Sequence, residues 1–118
     1  MKEVRIALIG CGRISQEHLR AFAKIKNVKI QAVADNISEK AKSVAERYKC
    51  RAYTDYKDMI RSESLNAVVI SAPPNEHVRM SVFALSRGHH VLCEKPFALN
   101  KTEAEKMCRS AKEKGLIL

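Results

Sequence analysis

Residues 6–18 read Ile6-Ala7-Leu8-Ile9-Gly10-Cys11-Gly12-Arg13-Ile14-Ser15-Gln16-Glu17-His18. A short apolar run breaks at two glycines and passes at once into a helical pattern. Strand, glycine turn and helix in that order form the arrangement that binds dinucleotides. Each part has a physical task. Gly10 permits the tight turn off the strand, and Gly12, with no Cβ, lets an anionic group approach the backbone. The helix that follows offers unpaired N–H groups and the positive end of its dipole to that anion. The third small position usually holds Gly or Ala, and Ser15 departs from this by one hydroxyl. Many βα turns use glycines for geometry alone, so the motif gains its meaning from an acidic residue downstream.

That residue is Asp35, at the end of the second apolar run, Val28–Ala34. It lies roughly 20 residues past the glycines, where an acid at a strand tip accepts hydrogen bonds from the adenosine ribose hydroxyls. A helix begins just after it, so Asp35 also reads as a helix N-cap, and the two roles are compatible. Asn36 follows it rather than an arginine. An acidic tip without an adjacent guanidinium repels a 2′-phosphate, which favours NAD over NADP, although Lys40 and Lys42 stand close in sequence.

The bulk composition sets the class. A chain of 118 residues is one domain with a real core, and 46% hydrophobic with 30% charged residues is ordinary for a globular protein. Cys11, Cys50, Cys93 and Cys108 show neither a C-x-x-C pair nor metal-ligand spacing, so no metal is expected. No signal peptide and no membrane-length apolar run is visible, which points to a cytoplasmic protein without a membrane partner. The net charge of +9 invites a nucleic-acid reading. The basic residues are scattered over every segment, however, with no tight run and few aromatics to stack on bases, so no nucleic-acid partner is expected. A positive field of this kind favours small anionic ligands.

The rest of the chain alternates strand and helix. Ala41, Val44, Ala45 and Tyr48 repeat at helical spacing, a short strand falls at Arg51–Tyr53, and a brief helix is capped near Thr54 or Asp55. Residues 66–71 form a continuous apolar run, the mark of a parallel strand buried on both faces. Asn75 is expected to cap the next helix, whose inner face would be Val78, Val82 and Leu85, with Gly88 at its end. A fifth strand spans residues 89–93. Asn100 and Glu103 resemble a capping box on a last helix with Ala104, Met107, Cys108 and Ala111 inward. Leu116–Leu118 reads as the opening of a sixth strand. The expectation is an α/β fold: a doubly wound, six-stranded parallel sheet of order 3-2-1-4-5-6, in three layers.

Two strand ends carry the remaining chemistry: Ser71-Ala72-Pro73-Pro74-Asn75-Glu76-His77 and Cys93-Glu94-Lys95-Pro96. With the Gly10–Ser15 turn, His18 and the Val33-Ala34-Asp35 tip, they resemble the N-terminal domain of the Gfo/Idh/MocA family of nicotinamide-dependent oxidoreductases. The resemblance covers essentially the whole chain, and the Glu-Lys-Pro tripeptide is its most specific part. It implies that Gly10, Gly12, Arg13 and Ile14 hold the pyrophosphate and that Asp35 takes the adenine ribose. Ser71, Pro73, Asn75 and His77 would line the middle of the cofactor, with Glu94 near the nicotinamide ribose. Lys95 would be the catalytic lysine that binds the reacting substrate oxygen. An ammonium beside the carbon that exchanges hydride stabilises the alkoxide developing there.

Blander readings stand beside these. Lys95 also reads as a solvated charge paired with Glu94, His77 as a ring bonded to a nearby carbonyl, and His18 as structural. The resemblance further implies a sugar, cyclitol or nucleotide-sugar substrate, a homo-oligomeric parent and a second, substrate-binding domain that residues 1–118 do not contain. A chain cut from such a parent is expected to bind NAD and to lack the substrate-side base. The other reading is a stand-alone, non-catalytic dinucleotide-binding module with a regulatory role.

Overall fold

The computed structural model describes residues 2–118. Five strands alternate with helices: β1 (Val4–Ile9), α1 (Arg13–Ala23), β2 (Val28–Ala34), α2 (Ser38–Tyr48), β3 (Arg51–Tyr53), α3 (Tyr56–Ser62), β4 (Ala67–Ile70), α4 (His77–Ser86), β5 (His90–Cys93) and α5 (Lys101–Lys114). A single 3-10 turn, Pro74–Glu76, precedes α4. All neighbours in the sheet are parallel, in the order β3-β2-β1-β4-β5. The chain moves outward from β1 through β2 to β3, then returns to the other side of β1 for β4 and β5. Connections on the two sides of β1 therefore leave the sheet in opposite directions, and a crevice opens between the carboxyl ends of β1 and β4.

The strands are apolar on both faces because both are covered. Ile6, Leu8, Val33 and Val69 pack with Leu19 of α1 and with Val44 and Ala45 of α2. Ala7, Ile9, Ala32, Val68 and Ile70 pack on the other face with Met59, Ile60, Met80, Ala84, Leu85 and Ala111 from α3, α4 and α5. The three-layer, doubly wound architecture is the one expected. Between β1 and β2 the register slips at one point: Ile6 faces Ile30 but Ala7 faces Ala32. Gln31 is the extra residue, and its side chain donates to Glu63.

Four local expectations are corrected. The sixth strand does not form as a ladder. Ile117 O accepts the Val91 N–H at 3.0 Å, but the Ile117 N–H goes to His90 Nδ1, so backbone pairing stops after one bond. Leu116 and Leu118 still pack against the core. Asn75 does not cap α4: it lies inside the 3-10 turn, and Glu76 stands at the N-cap without a side-chain bond. That turn shifts the phase of α4, so His77, Met80, Ser81, Ala84 and Leu85 face inward, while Val78 and Val82 are only half-buried. In α5, Met107 and Ala111 are buried and Cys108 is exposed. Asn100 caps α5 as expected, accepting the Glu103 N–H at 2.9 Å. Asp55 caps α3 through the Lys57 N–H.

Candidate dinucleotide cleft

The carboxyl ends of β1, β2, β3 and β4 border one cleft of about 720 Å³. Because the sheet is parallel, every strand delivers its following loop to this same edge. Gly10, Cys11 and Gly12 form one wall, Asp35, Asn36 and Ile37 a second, and Ser71, Ala72, Pro73 and Asn75 a third. Ile9, Ala34 and Met80 contribute its apolar floor.

The two glycines differ in what requires them. Gly10 has φ +97°, and a Cβ there would lie 2.7 Å from the Ser71 carbonyl oxygen. It is fixed by the fold, because β1 and β4 run side by side into the turn. Gly12 has an ordinary backbone (φ −84°, ψ −162°), and a Cβ there would meet nothing within 4 Å. No packing demand of the chain itself calls for a glycine at that point, so the bare backbone serves an approaching group.

Gly12 is also the N-cap of α1, where no side chain caps the helix and no acidic residue occupies the first turn. The opening amides of α1 thus face the turn without a side-chain acceptor. Ser15 is fully buried, and its hydroxyl donates back to the Gly12 carbonyl at 2.5 Å. The extra oxygen is absorbed within the helix, which explains how serine stands at the small position. Burial, reinforced by the nearby Asp35 carboxylate, pushes the Cys11 thiol up to about 12, so no thiolate forms beside this anion-receptive turn.

Asp35 joins the first two walls. Its Oδ2 accepts the Cys11 N–H at 2.8 Å and its Oδ1 accepts the Ile37 N–H at 2.8 Å. It is therefore a loop cap rather than the N-cap of α2, a position held by Ile37. Each carboxylate oxygen keeps a second lone pair for a hydroxyl donor. Ser71 and Tyr56 both border the cleft, and among the described residues their buried hydroxyls have no hydrogen-bond partner. Orphaned polar atoms at a cleft wall are groups that a ligand satisfies. Beside this cleft, Arg13, Lys40 and Arg47 flank an adjoining hollow of about 570 Å³, and Lys40 borders both spaces.

The cleft thus gathers Gly10, Gly12, Asp35, Ser71, Pro73 and Asn75. Arg13 lies around the corner in the basic hollow, and Ile14 is exposed on α1. His77 does not border the cleft: it is 1% exposed and lies behind the third wall. Glu94 and Lys95 lie apart from these walls, on the strap that leaves β5. There the Lys95–Pro96 peptide is cis and Lys95 is exposed. His18 Nε2 lies 2.6 Å from Glu94 Oε2, and Glu94 Oε1 accepts the Lys95 N–H at 3.2 Å. The bond from His18, with that N–H second, holds the Glu94 carboxyl below its usual range. Tyr56 carried no functional signal in the sequence, since a tyrosine opening a short helix reads as core.

Comparison with known proteins agrees with this geometry. The model of the oxidoreductase family with the NAD-binding Rossmann fold matches residues 4–118. The scyllo-inositol 2-dehydrogenase (NADP(+)) IolU of Bacillus subtilis is 35% identical over 116 residues, which are 98% of this chain and 35% of that protein. The WlbA dehydrogenase from Bordetella pertussis, solved in complex with NADH and UDP-GlcNAcA, matches with a TM-score of 0.94 at 26% identity. That match covers 98% of this chain and 35% of the other. KijD10, a 3-ketoreductase from Actinomadura kijaniata solved with NADP and TDP-benzene, matches with a TM-score of 0.93 at 29% identity, over 99% of this chain and 36% of the other. The chain spans about a third of the length of the relatives it matches.

Proposed function

We propose, this chain being a member of the Gfo/Idh/MocA oxidoreductase family, that it is the dinucleotide-binding domain of an enzyme moving hydride between nicotinamide and a secondary alcohol or its ketone. The observation that carries the reading is the cleft itself. An open glycine turn at an uncapped helix start faces the Asp35 carboxylate and the unpartnered hydroxyls of Ser71 and Tyr56.

In this reading the α1 amides and Gly12 take the pyrophosphate, and Asp35 accepts the adenine ribose hydroxyls. Ser71, Pro73 and Asn75 border the middle of the ligand, and Glu94 takes the nicotinamide ribose. Asp35 disfavours a 2′-phosphate, so NAD is preferred, while Lys40 beside the cleft keeps NADP binding measurable. The dinucleotide, when bound, supplies the hydride donor or acceptor. Lys95, exposed at the end of its strap, donates a hydrogen bond to the substrate oxygen and stabilises its alkoxide character.

Cyclitols, sugars and nucleotide sugars are the proposed substrate class, supported by the inositol dehydrogenase and nucleotide-sugar relatives. The direct test is titration of the chain with NADH and NADPH. Tighter NADH binding supports the reading, and equal or reversed affinities refute the NAD preference. In a longer protein carrying this chain, Lys95→Ala should lower kcat far more than it weakens NADH binding.

A further inference from the structure

We infer that His77 is a positioning residue that ties the Lys95 strap to the wall of the dinucleotide cleft, an inference that rests on the function proposed above.

The ring is 1% exposed, yet it is spent on loop backbone rather than on core packing. Nε2 lies 2.8 Å from the Ala72 carbonyl oxygen. Nδ1 lies 2.9 Å from the Pro96 carbonyl oxygen and 3.3 Å from that of Phe97. A carbonyl oxygen only accepts, so each bond needs an N–H on the ring: the neutral ring donates to one of the two loops, and the imidazolium to both. Ala72 belongs to the third wall of the cleft, and Pro96 immediately follows Lys95. The ring therefore sits between the two loops that the proposed reaction must hold in register.

The backbone does not hold them together. β4 and β5 pair up to Ile70 and Cys93, and the last rung is the Glu94 N–H to the Ile70 carbonyl at 2.9 Å. Beyond that rung, among the described residues, no backbone hydrogen bond joins residues 71–76 to residues 95–99. His77 supplies the crossing link just where the ladder ends. Its own backbone is fixed by the first turn of α4, whose Ala84 and Leu85 are anchored in the core. A rigid helix thus carries one planar ring that spaces two loops. A displacement of about 1 Å at a reacting group is costly to hydride transfer.

The test compares NADH with ADP, which lacks the nicotinamide riboside, as ligands of the chain by calorimetry. The variants are His77→Leu, of similar bulk and without donors, and His77→Gln, which keeps donors. The wild-type chain is expected to bind NADH more tightly than ADP. In His77→Leu, ADP affinity should stay within about twofold while the NADH advantage shrinks by about fivefold or more, the scale of one lost hydrogen bond. His77→Gln should restore part of that advantage. Should His77→Leu fail to fold, His77→Phe, a planar ring without donors, serves instead, with the same shrinkage of the NADH advantage as the expected result.

Equal losses for both ligands, or an unchanged NADH advantage, overturn the role given to His77. A folded wild-type chain that binds neither ligand overturns the dinucleotide reading itself, and this inference with it.

Discussion

The Asp35 carboxylate accepts the Cys11 N–H at 2.8 Å, which locks the tip of β2 onto the glycine turn that follows β1. The same oxygens are the ones proposed to receive the ribose hydroxyls, so one side chain both shapes the cleft and fills its ligand role. Asp35→Ala is expected to lose about 1.5–3 kcal/mol of NADH binding, the range for hydrogen bonds to a charged group. Asp35→Asn keeps one acceptor and removes the charge. It should therefore narrow the gap between NADH and NADPH, as paired titrations would measure.

Gly10 and Gly12 should separate stability from binding. Gly10→Ala places a Cβ against Ser71 at a positive φ, and is expected to cost at least ~2 kcal/mol of unfolding free energy. Gly12→Ala adds its methyl into open space at an ordinary backbone conformation. It should change stability by less than ~0.5 kcal/mol and weaken NADH binding about tenfold. Urea unfolding and titration of the same two proteins check both halves.

Glu63 sets a pH-dependent clasp at the edge of the sheet. Its carboxylate is 1% exposed and receives the Tyr53 hydroxyl, the Gln31 amide and the Arg51 guanidinium. Burial alone would raise its pKa, but the three donors outweigh burial and hold it below the usual carboxylate value. The charged form is thus favoured by folding. The stabilisation is fully present above the unfolded value of about 4.3 and is lost as pH falls through the depressed folded value. Glu63→Gln should be less stable than wild type by about 1–3 kcal/mol at neutral pH. The difference should close below about pH 4, as thermal unfolding across pH would show.

His18 and Glu94 make a similar but more exposed pair. Replacing His18 with Phe removes the leading cause of the lowered Glu94 carboxyl pKa while keeping a ring beside Phe22. The Glu94 carboxyl should then titrate at higher pH, which side-chain carboxyl NMR measures. An unchanged titration would mean that the Lys95 N–H alone holds it.

The strands were legible because each is an apolar run bounded by turn residues, and β2 and β3 fall where the pattern places them. The face of α4 was not, since the 3-10 turn at Pro74–Glu76 sets the phase of the helix and leaves no mark in the apolar spacing of Val78, Val82 and Leu85. The glycine turn, Asp35 and the residues after β4 could be read because local geometry dictates their types. His18 and His77 could not be given partners. Glu94 lies 76 residues from His18, and the carbonyls that His77 meets belong to loops that only the folded sheet brings together. Leu116–Leu118 has strand-like composition, but its middle N–H is taken by His90.

The most direct measurement is an amide NMR titration of the folded chain with NADH. Saturable shifts confined to Gly10–Ser15, Asp35–Ile37 and Ser71–Asn75 are the predicted result. Perturbations centred away from these turns, or none at millimolar NADH, would contradict it.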